Sequence, residues 1–179
     1  ERVCRRAEEV AGLPVKPCYM YALTREGRKP PMVHVRQSIY SLLEPKKKKG
    51  NVVNLLGYFS PLVDDCELYD LLHGAGVKTI HEISRCKDYE EYQTMSEANF
   101  NLVLHPEARF AAEDFHDRLK IPYIELRRLY QIDKIASQYR AFGAALGVTF
   151  DDEEPRKAAE AAVAKFKEFY PDASFAVGE

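Results

Sequence analysis

The sequence predicts an α/β fold, a Rossmann-like parallel sheet with helices on both faces. The first observation is that short apolar runs alternate with amphipathic helical patterns from residue 51 onward. The second is that the connections between them are short, as in a parallel sheet built from βα units. The third is the composition, because 179 residues with 46% hydrophobic side chains are sufficient for a buried core.

The elements are expected in a regular order along the chain. A helix over residues 1–11 is stopped by Gly12 and followed by a short strand at 13–20. After a polar loop at 24–31, the spacing predicts a helix over 33–43 whose inward residues are Val35, Ile39, Leu42 and Leu43. Strands are predicted at 51–56, 77–83, 100–104, 122–126 and 173–177, and helices at 64–74, 89–95, 107–119, 132–146 and 155–169. Asp64 or Asp65 is the expected N-cap of the helix that ends at residue 74.

Three segments are expected as domains or parts of domains. Residues 51–150 read as a central Rossmann-like domain, and residues 1–50 as the end of a preceding domain or an added strand and helices. Residues 151–179 read as a helix and first strand that lead into a following domain. The missing initiator Met and the late strand favour a piece of a longer polypeptide.

Charge and cysteine content exclude several classes of function. The formal net charge of -2 provides no electrostatic case for nucleic acid. No apolar run approaches the roughly 20 residues of a membrane span, and no secretory signal opens the chain. The four cysteines lack zinc-site spacing, so free thiols in a reducing cytoplasm are expected.

His105 is the strongest candidate site residue. It follows the apolar run Phe100 to Leu104 and should lie at the carboxyl end of a parallel strand. Ligands bind just outside these ends in open α/β sheets. The imidazole is therefore a metal ligand or a proton donor, or alternatively a partly buried histidine satisfied by backbone groups.

Other candidates surround this position in the predicted topology. Arg109 and Arg85 lie on the strand-end side, where they either meet an anion or remain solvated. Cys18 closes the predicted first strand and His34 begins the next helix, so both are candidates for the edge of the cleft. The thiols of Cys66 and Cys86 are either ligands or small apolar fillers.

The loop from Gly57 to Asp65 joins a buried strand to a helix, which is a place where phosphate groups bind. The glycine patterns of dinucleotide sites and of phosphate-binding loops are both absent from it. The sequence therefore favours a structural cap over a nucleotide site.

Several soft motifs resemble the nitrogenase component 1 family when they are taken in order. They are Asn54-Leu-Leu-Gly57, Asp64, Leu71-Leu72, Gly76, Phe100-Asn-Leu-Val-Leu104 and Ile121-Pro-Tyr-Ile124. The resemblance covers nearly the whole chain and is strongest from Asn51 to Leu146. It implies a fold of three Rossmann-like domains in a full subunit, with this chain as the middle one.

The resemblance also implies chemistry. Family members include the molybdenum–iron protein, cofactor-assembly scaffolds and tetrapyrrole reductases, and they work with a sister subunit and an ATP-dependent iron–sulfur reductase. In the nitrogenase chain that holds the metal cofactor, a cysteine ligand follows the matching strand. His105 stands at that place here, which weakens the case for molybdenum-nitrogenase activity.

We interpret the chain as a fragment of a nitrogenase component 1-like oxidoreductase subunit. It would reduce a metal-cofactor-bound or tetrapyrrole-like substrate, with His105 and Arg109 as catalytic residues. Cys18, His34 and His105 would contact the cofactor, and His105 would be its metal ligand. An iron–sulfur or metal cluster is expected in the full complex and none in the fragment. The alternatives are an assembly scaffold without turnover and a generic small-molecule-binding α/β domain.

Overall fold

We describe residues 1–19 and 30–174 of a computed structural model of the chain. The chain divides into two compact units, Glu1–Leu126 and Arg127–Glu179. Most of the polar loop predicted at 24–31, and most of the strand predicted at 173–177, lie outside the described residues. The domain boundaries of the whole polypeptide stay a prediction.

The first unit is built on a four-stranded sheet in which all neighbouring strands are parallel. The strands are β1 (Val52–Leu56), β2 (Thr79–His81), β3 (Phe100–Val103) and β4 (Tyr123–Glu125), and their order in the sheet is β2-β1-β3-β4. Leu55 pairs with Leu102, and Leu102 with Ile124. The predicted fold class is confirmed.

Helices make up much of the rest of the described chain. They are α1 (Arg2–Ala11), α2 (Pro31–Tyr40), α3 (Glu67–Gly74), α4 (Tyr89–Thr94), α5 (Arg109–Leu119), α6 (Ile132–Leu146) and α7 (Glu153–Phe169). Short 3-10 turns span Ile83–Arg85, Met95–Glu97 and Pro106–Ala108. In the described part of the chain, no helix is long and apolar enough to cross a membrane.

The core of the first unit lies between the sheet and α2, α4 and α5. Every residue of β1 is buried, so both faces of the sheet are covered. On one face Leu56 and Val103 join Phe115 and Tyr40, whose rings meet edge to face at 5.0 Å. Because side chains alternate along a strand, Leu55 points to the opposite face.

The second unit contains α6 and α7. Gly147 ends α6 in the left-handed conformation, as predicted. A close backbone return follows, because a Cβ on Gly143 would lie 2.7 Å from the Val148 carbonyl oxygen. Arg156 of α7 donates to Asp133 of α6 at 2.9 Å.

The strand predicted at 13–20 is wrong for residues 13–19, which form no ladder. Pro14 and Pro17 lack N–H donors, so the segment has few groups to offer a neighbouring strand. Leu13 and Tyr19 are both more than half exposed. The backbone N–H of Val15 is instead satisfied by the Glu8 side chain at 2.9 Å.

Two helix details also differ from prediction. The buried stripe of α2 consists of Val33, Arg36 and Tyr40, while Val35 and Ile39 are only partly buried. Helix α3 begins after Cys66 and not at Asp64 or Asp65. The carboxylate of Asp64 is drawn away from the helix because it accepts a hydrogen bond from Arg85 at 2.6 Å.

Candidate functional site

The carboxyl ends of β1 and β3 lie side by side, and we call this edge of the sheet, with Gly57, Tyr58 and His105, the crevice. The chain leaves β1 toward β2 on one side and returns to β3 on the other, so the strand order reverses at this pair. Such switch points are where open α/β sheets bind ligands. Gly57 allows the close approach of the two strand ends, since a Cβ there would lie 3.0 Å from the Cβ of Leu104.

His105 lies at this crevice, as the strand–helix pattern predicts. Its Nδ1 accepts a hydrogen bond from the backbone N–H of Glu107 at 3.2 Å. In the neutral imidazole the proton is therefore on Nε2, which becomes a hydrogen-bond donor. The ring is partly buried and packs edge-on against Tyr58, with 5.1 Å between ring centroids.

Tyr58 was not a candidate in the sequence, although it directly follows Gly57. Its side chain is 47% exposed, so the crevice has an aromatic wall that solvent reaches. A single tyrosine in a loop carries no periodic signal. Only the pairing of β1 with β3 places it beside His105.

Arg109 opens α5, one turn after His105, but its guanidinium is already engaged. Nε lies 3.2 Å from Glu113 and 3.3 Å from Glu125, and half of the side chain is exposed. Glu125 foremost, and then Glu113, raise the pKa of Arg109. With two carboxylates beside one cation, this part of the rim has no excess positive charge. The role of Arg109 toward an anion stays a prediction.

Arg36, which the sequence does not indicate as a candidate, is buried beside the crevice. It is only 5% exposed, and its Nη1 donates to the carbonyl of Gly57. The guanidinium carbon lies 4.6 Å from the ring centroid of Phe59, a cation–π arrangement. The signal was the i, i+3, i+7 spacing of Val33, Arg36 and Tyr40, which places the arginine in the buried stripe.

The far end of the same loop is held by a second polar cluster. Glu82 is 6% exposed and accepts hydrogen bonds from the backbone N–H of Leu62 and from Tyr69. Arg85 donates to Glu82 and to the Leu62 carbonyl as well as to Asp64. Arg85 is exposed, but its guanidinium is already engaged with three acceptors that hold the loop.

Cys18 and His34 are both exposed. Ser38, one turn after His34 in α2, donates to the carbonyl of Pro17 at 3.3 Å, so the segment before Cys18 runs along this helix. Within residues 1–19 and 30–174, no hydrogen bond, ion pair or ring contact joins either residue to His105. Their role at a cofactor stays a prediction.

The other two candidate thiols, Cys66 and Cys86, differ in environment. Cys86 packs against the core, its Sγ lies 3.5 Å from the carbonyl of Glu82, and burial raises the pKa of the thiol. A raised pKa leaves little thiolate, which supports the interpretation of Cys86 as an apolar filler. Cys66 is the N-cap residue of α3, but its side chain caps no N–H group there.

The metal-ligating side chains of the described residues are not clustered. Among the described residues, no group of three or more His, Cys, Asp or Glu side chains is arranged to hold a metal ion. Metal-bound histidines generally donate their other N–H to an oxygen acceptor, whereas Nδ1 of His105 accepts a hydrogen bond. The described residues therefore do not fit a metal cluster held by this chain alone.

A match to a known family covers nearly the whole chain. A sequence model described as nitrogenase component 1 type oxidoreductase matches residues 2–174. The chain belongs to the nitrogenase component 1 type oxidoreductase family. The family resemblance predicted from the sequence is confirmed. No curated protein matches the chain. The match includes the whole crevice, so the sheet edge with His105 is part of a nitrogenase-like oxidoreductase subunit.

Proposed function

We propose that the crevice at the ends of β1 and β3 is the substrate-facing edge of a nitrogenase-like reductase. The full subunit would take electrons from an ATP-dependent iron–sulfur reductase and work beside a sister subunit. Its substrate would be bound to a metal cofactor or be tetrapyrrole-like. The observation that carries the proposal is His105 at the switch point of a chain from this family.

His105 acts in this proposal as a donor through Nε2. The Glu107 N–H occupies Nδ1, so the neutral ring presents Nε2–H to a bound group. A donor held in a fixed direction stabilises negative charge that develops on a substrate during reduction. This hydrogen-bond pattern favours a donor over the alternative role of metal ligand.

The other candidates have subordinate roles. Arg109 would bind an anionic group only after its ion pair with Glu113 or Glu125 is broken. Cys18 and His34 would contact the cofactor from the α2 side in the assembled complex. An assembly scaffold would use the same edge for binding but would not turn over substrate.

The test is ATP-dependent reduction by the complete complex, purified without oxygen from its own cells through a tag on this polypeptide. We expect the complex to reduce its co-purified substrate only when ATP is present. His105→Ala should lower the rate of this reduction by about 10²-fold. His116→Ala is the matched control, because its ring is 61% exposed on α5 and should leave the rate unchanged.

Three outcomes contradict the proposal. Wild-type turnover by a folded His105→Ala complex would remove the role of the imidazole. Binding of a cofactor without any ATP-dependent turnover would identify a scaffold. Reduction that proceeds equally without ATP would exclude an ATP-dependent electron donor.

A further inference from the structure

Arg36 is a buried cation at the base of the crevice, and its surroundings are unusual. Its Nη1 donates to Gly57 and its guanidinium lies over Phe59, but its Nε is buried without a hydrogen-bond partner among the described residues. A buried donor left unpaired costs stability, and an apolar side chain would complete the stripe of Val33 and Tyr40 without that cost. Such a group calls for an explanation other than packing.

The contacts of Arg36 bracket Tyr58. Gly57 and Phe59, on either side of it, are the two residues that Arg36 holds. The far end of the loop is fixed independently by Glu82 at Leu62. Arg36 therefore contacts the near end of the loop, where the Tyr58 ring meets His105 at 5.1 Å.

We propose that Arg36 is a positioning residue which, by holding Gly57 and Phe59, keeps the Tyr58 ring against the imidazole of His105. Arg36 touches neither the imidazole nor a substrate in this proposal and acts through the loop. The significance of the contact for catalysis rests on the function proposed for His105. The contact itself is a property of this chain and is measurable without turnover.

The first experiment records the imidazole signals of the chain by ¹⁵N–¹H correlation NMR. Arg36→Met removes the guanidinium but keeps an unbranched apolar side chain. We expect the ring signals of His105 to move, because the Tyr58 ring no longer has a fixed place beside them, while those of exposed His116 stay unchanged. Unmoved His105 signals in folded Arg36→Met would overturn the proposal.

A second variant is needed in case Arg36→Met does not fold. Phe59→Leu leaves the cation in place and removes the ring on which it lies. We expect the His105 signals to move in the same direction as in Arg36→Met. His105 signals that stay in place in folded Phe59→Leu would overturn the proposal as well.

Arg118→Lys is the matched control, because Arg118 also holds α2 but does so at Tyr40 and Leu43, away from the crevice. It should weaken the fold without moving the His105 signals. An equal movement of these signals in Arg118→Lys would mean that any loosening of α2 suffices, which contradicts a specific role for Arg36.

A third experiment tests the route through Tyr58. Tyr58→Ala removes the ring, so Arg36→Met in that background should add no further shift at His105. The alternative route is the close approach of Gly57 to Leu104, which remains in the double variant. The proposal is overturned if Arg36→Met moves the His105 signals as far in the Tyr58→Ala background as it does alone. Failure of ATP-dependent turnover in the wild-type complex would instead reject only the proposed function.

Discussion

Single residues at the ends of β1 and β3 define the chemistry available in the crevice. The backbone N–H of Glu107 selects the tautomer of His105, and Tyr58 covers one edge of its ring. Gly57 makes this arrangement possible because the strand ends approach within 3.0 Å of where its Cβ would be. A methyl group at this position would have to push against Leu104.

Gly57→Ala should therefore lower the free energy of unfolding by about 1 kcal/mol, the result of overpacking partly offset by a less flexible unfolded chain. Urea unfolding of the variant measures the change. Gly74→Ala is the control, since that glycine is exposed at the end of α3 with open space around it. It should be neutral or stabilising by up to about 1 kcal/mol. A Gly57→Ala chain as stable as the control would contradict the packing argument.

Helix α2 is the element that connects the crevice to the core. Arg36 attaches it to the loop after β1. At its other end the guanidinium of Arg118, from α5, donates to the carbonyls of Tyr40 and Leu43 at 2.9 and 2.6 Å. Carbonyls at and just beyond a helix end lack intrahelical partners, so this arginine is a cap supplied by tertiary structure.

Arg118→Lys should lower the free energy of unfolding by about 1–2 kcal/mol, because an ammonium cannot reproduce the fork that reaches both carbonyls and Asp114. Asp114→Asn is the control for the ion pair alone, which is partly exposed and should be worth less than about 1 kcal/mol. Thermal or urea unfolding of both variants separates the two contributions. Equal losses would show that the ion pair, and not the cap, carries the effect.

At the scale of the whole first unit, the stability should depend on pH through His81 on the edge strand β2. The residue is 8% exposed, and its Nε2 lies 3.2 Å from the hydroxyl of Thr94. Burial lowers the pKa of His81 from its ordinary value of 6.5, although Glu91 and Glu97 oppose the change and Lys49 adds to it. The folded chain therefore prefers the neutral ring.

The sign of the effect follows from this lowered pKa. Well above pH 6.5 the ring is neutral in both states, and its contribution to stability is complete. As the pH falls below 6.5 the unfolded chain takes up the proton first, so stability is lost until the folded pKa is passed. Urea unfolding between about pH 7.5 and 5 should show this loss, and His81→Asn should reduce the slope. An unchanged slope in His81→Asn would assign the pH dependence to other groups.

The local sequence pattern was sufficient to predict much of the fold of this protein. The alternation of apolar runs and helical spacing predicted the parallel sheet, because β and α periods are properties of neighbouring residues. Helix α6 was predicted at its observed bounds, Ile132–Leu146, and Gly147 marked its end. The same pattern placed His105 at the end of a strand, and collinear motifs identified the family.

Features that depend on contacts between distant segments could not be predicted from the local pattern. The strand predicted at 13–20 does not form in residues 13–19, because a ladder needs a partner as well as an apolar run. Arg36 was missed because a charged residue in a helix is ordinarily solvated, and only packing against Gly57 and Phe59 makes its burial understandable. The sequence by itself thus determined the sheet, the family and the position of His105. The tautomer of its ring is set locally, by the N–H of Glu107 two residues away. The position of Tyr58 beside that ring and the burial of Arg36 against the loop depend on contacts between segments far apart in the chain.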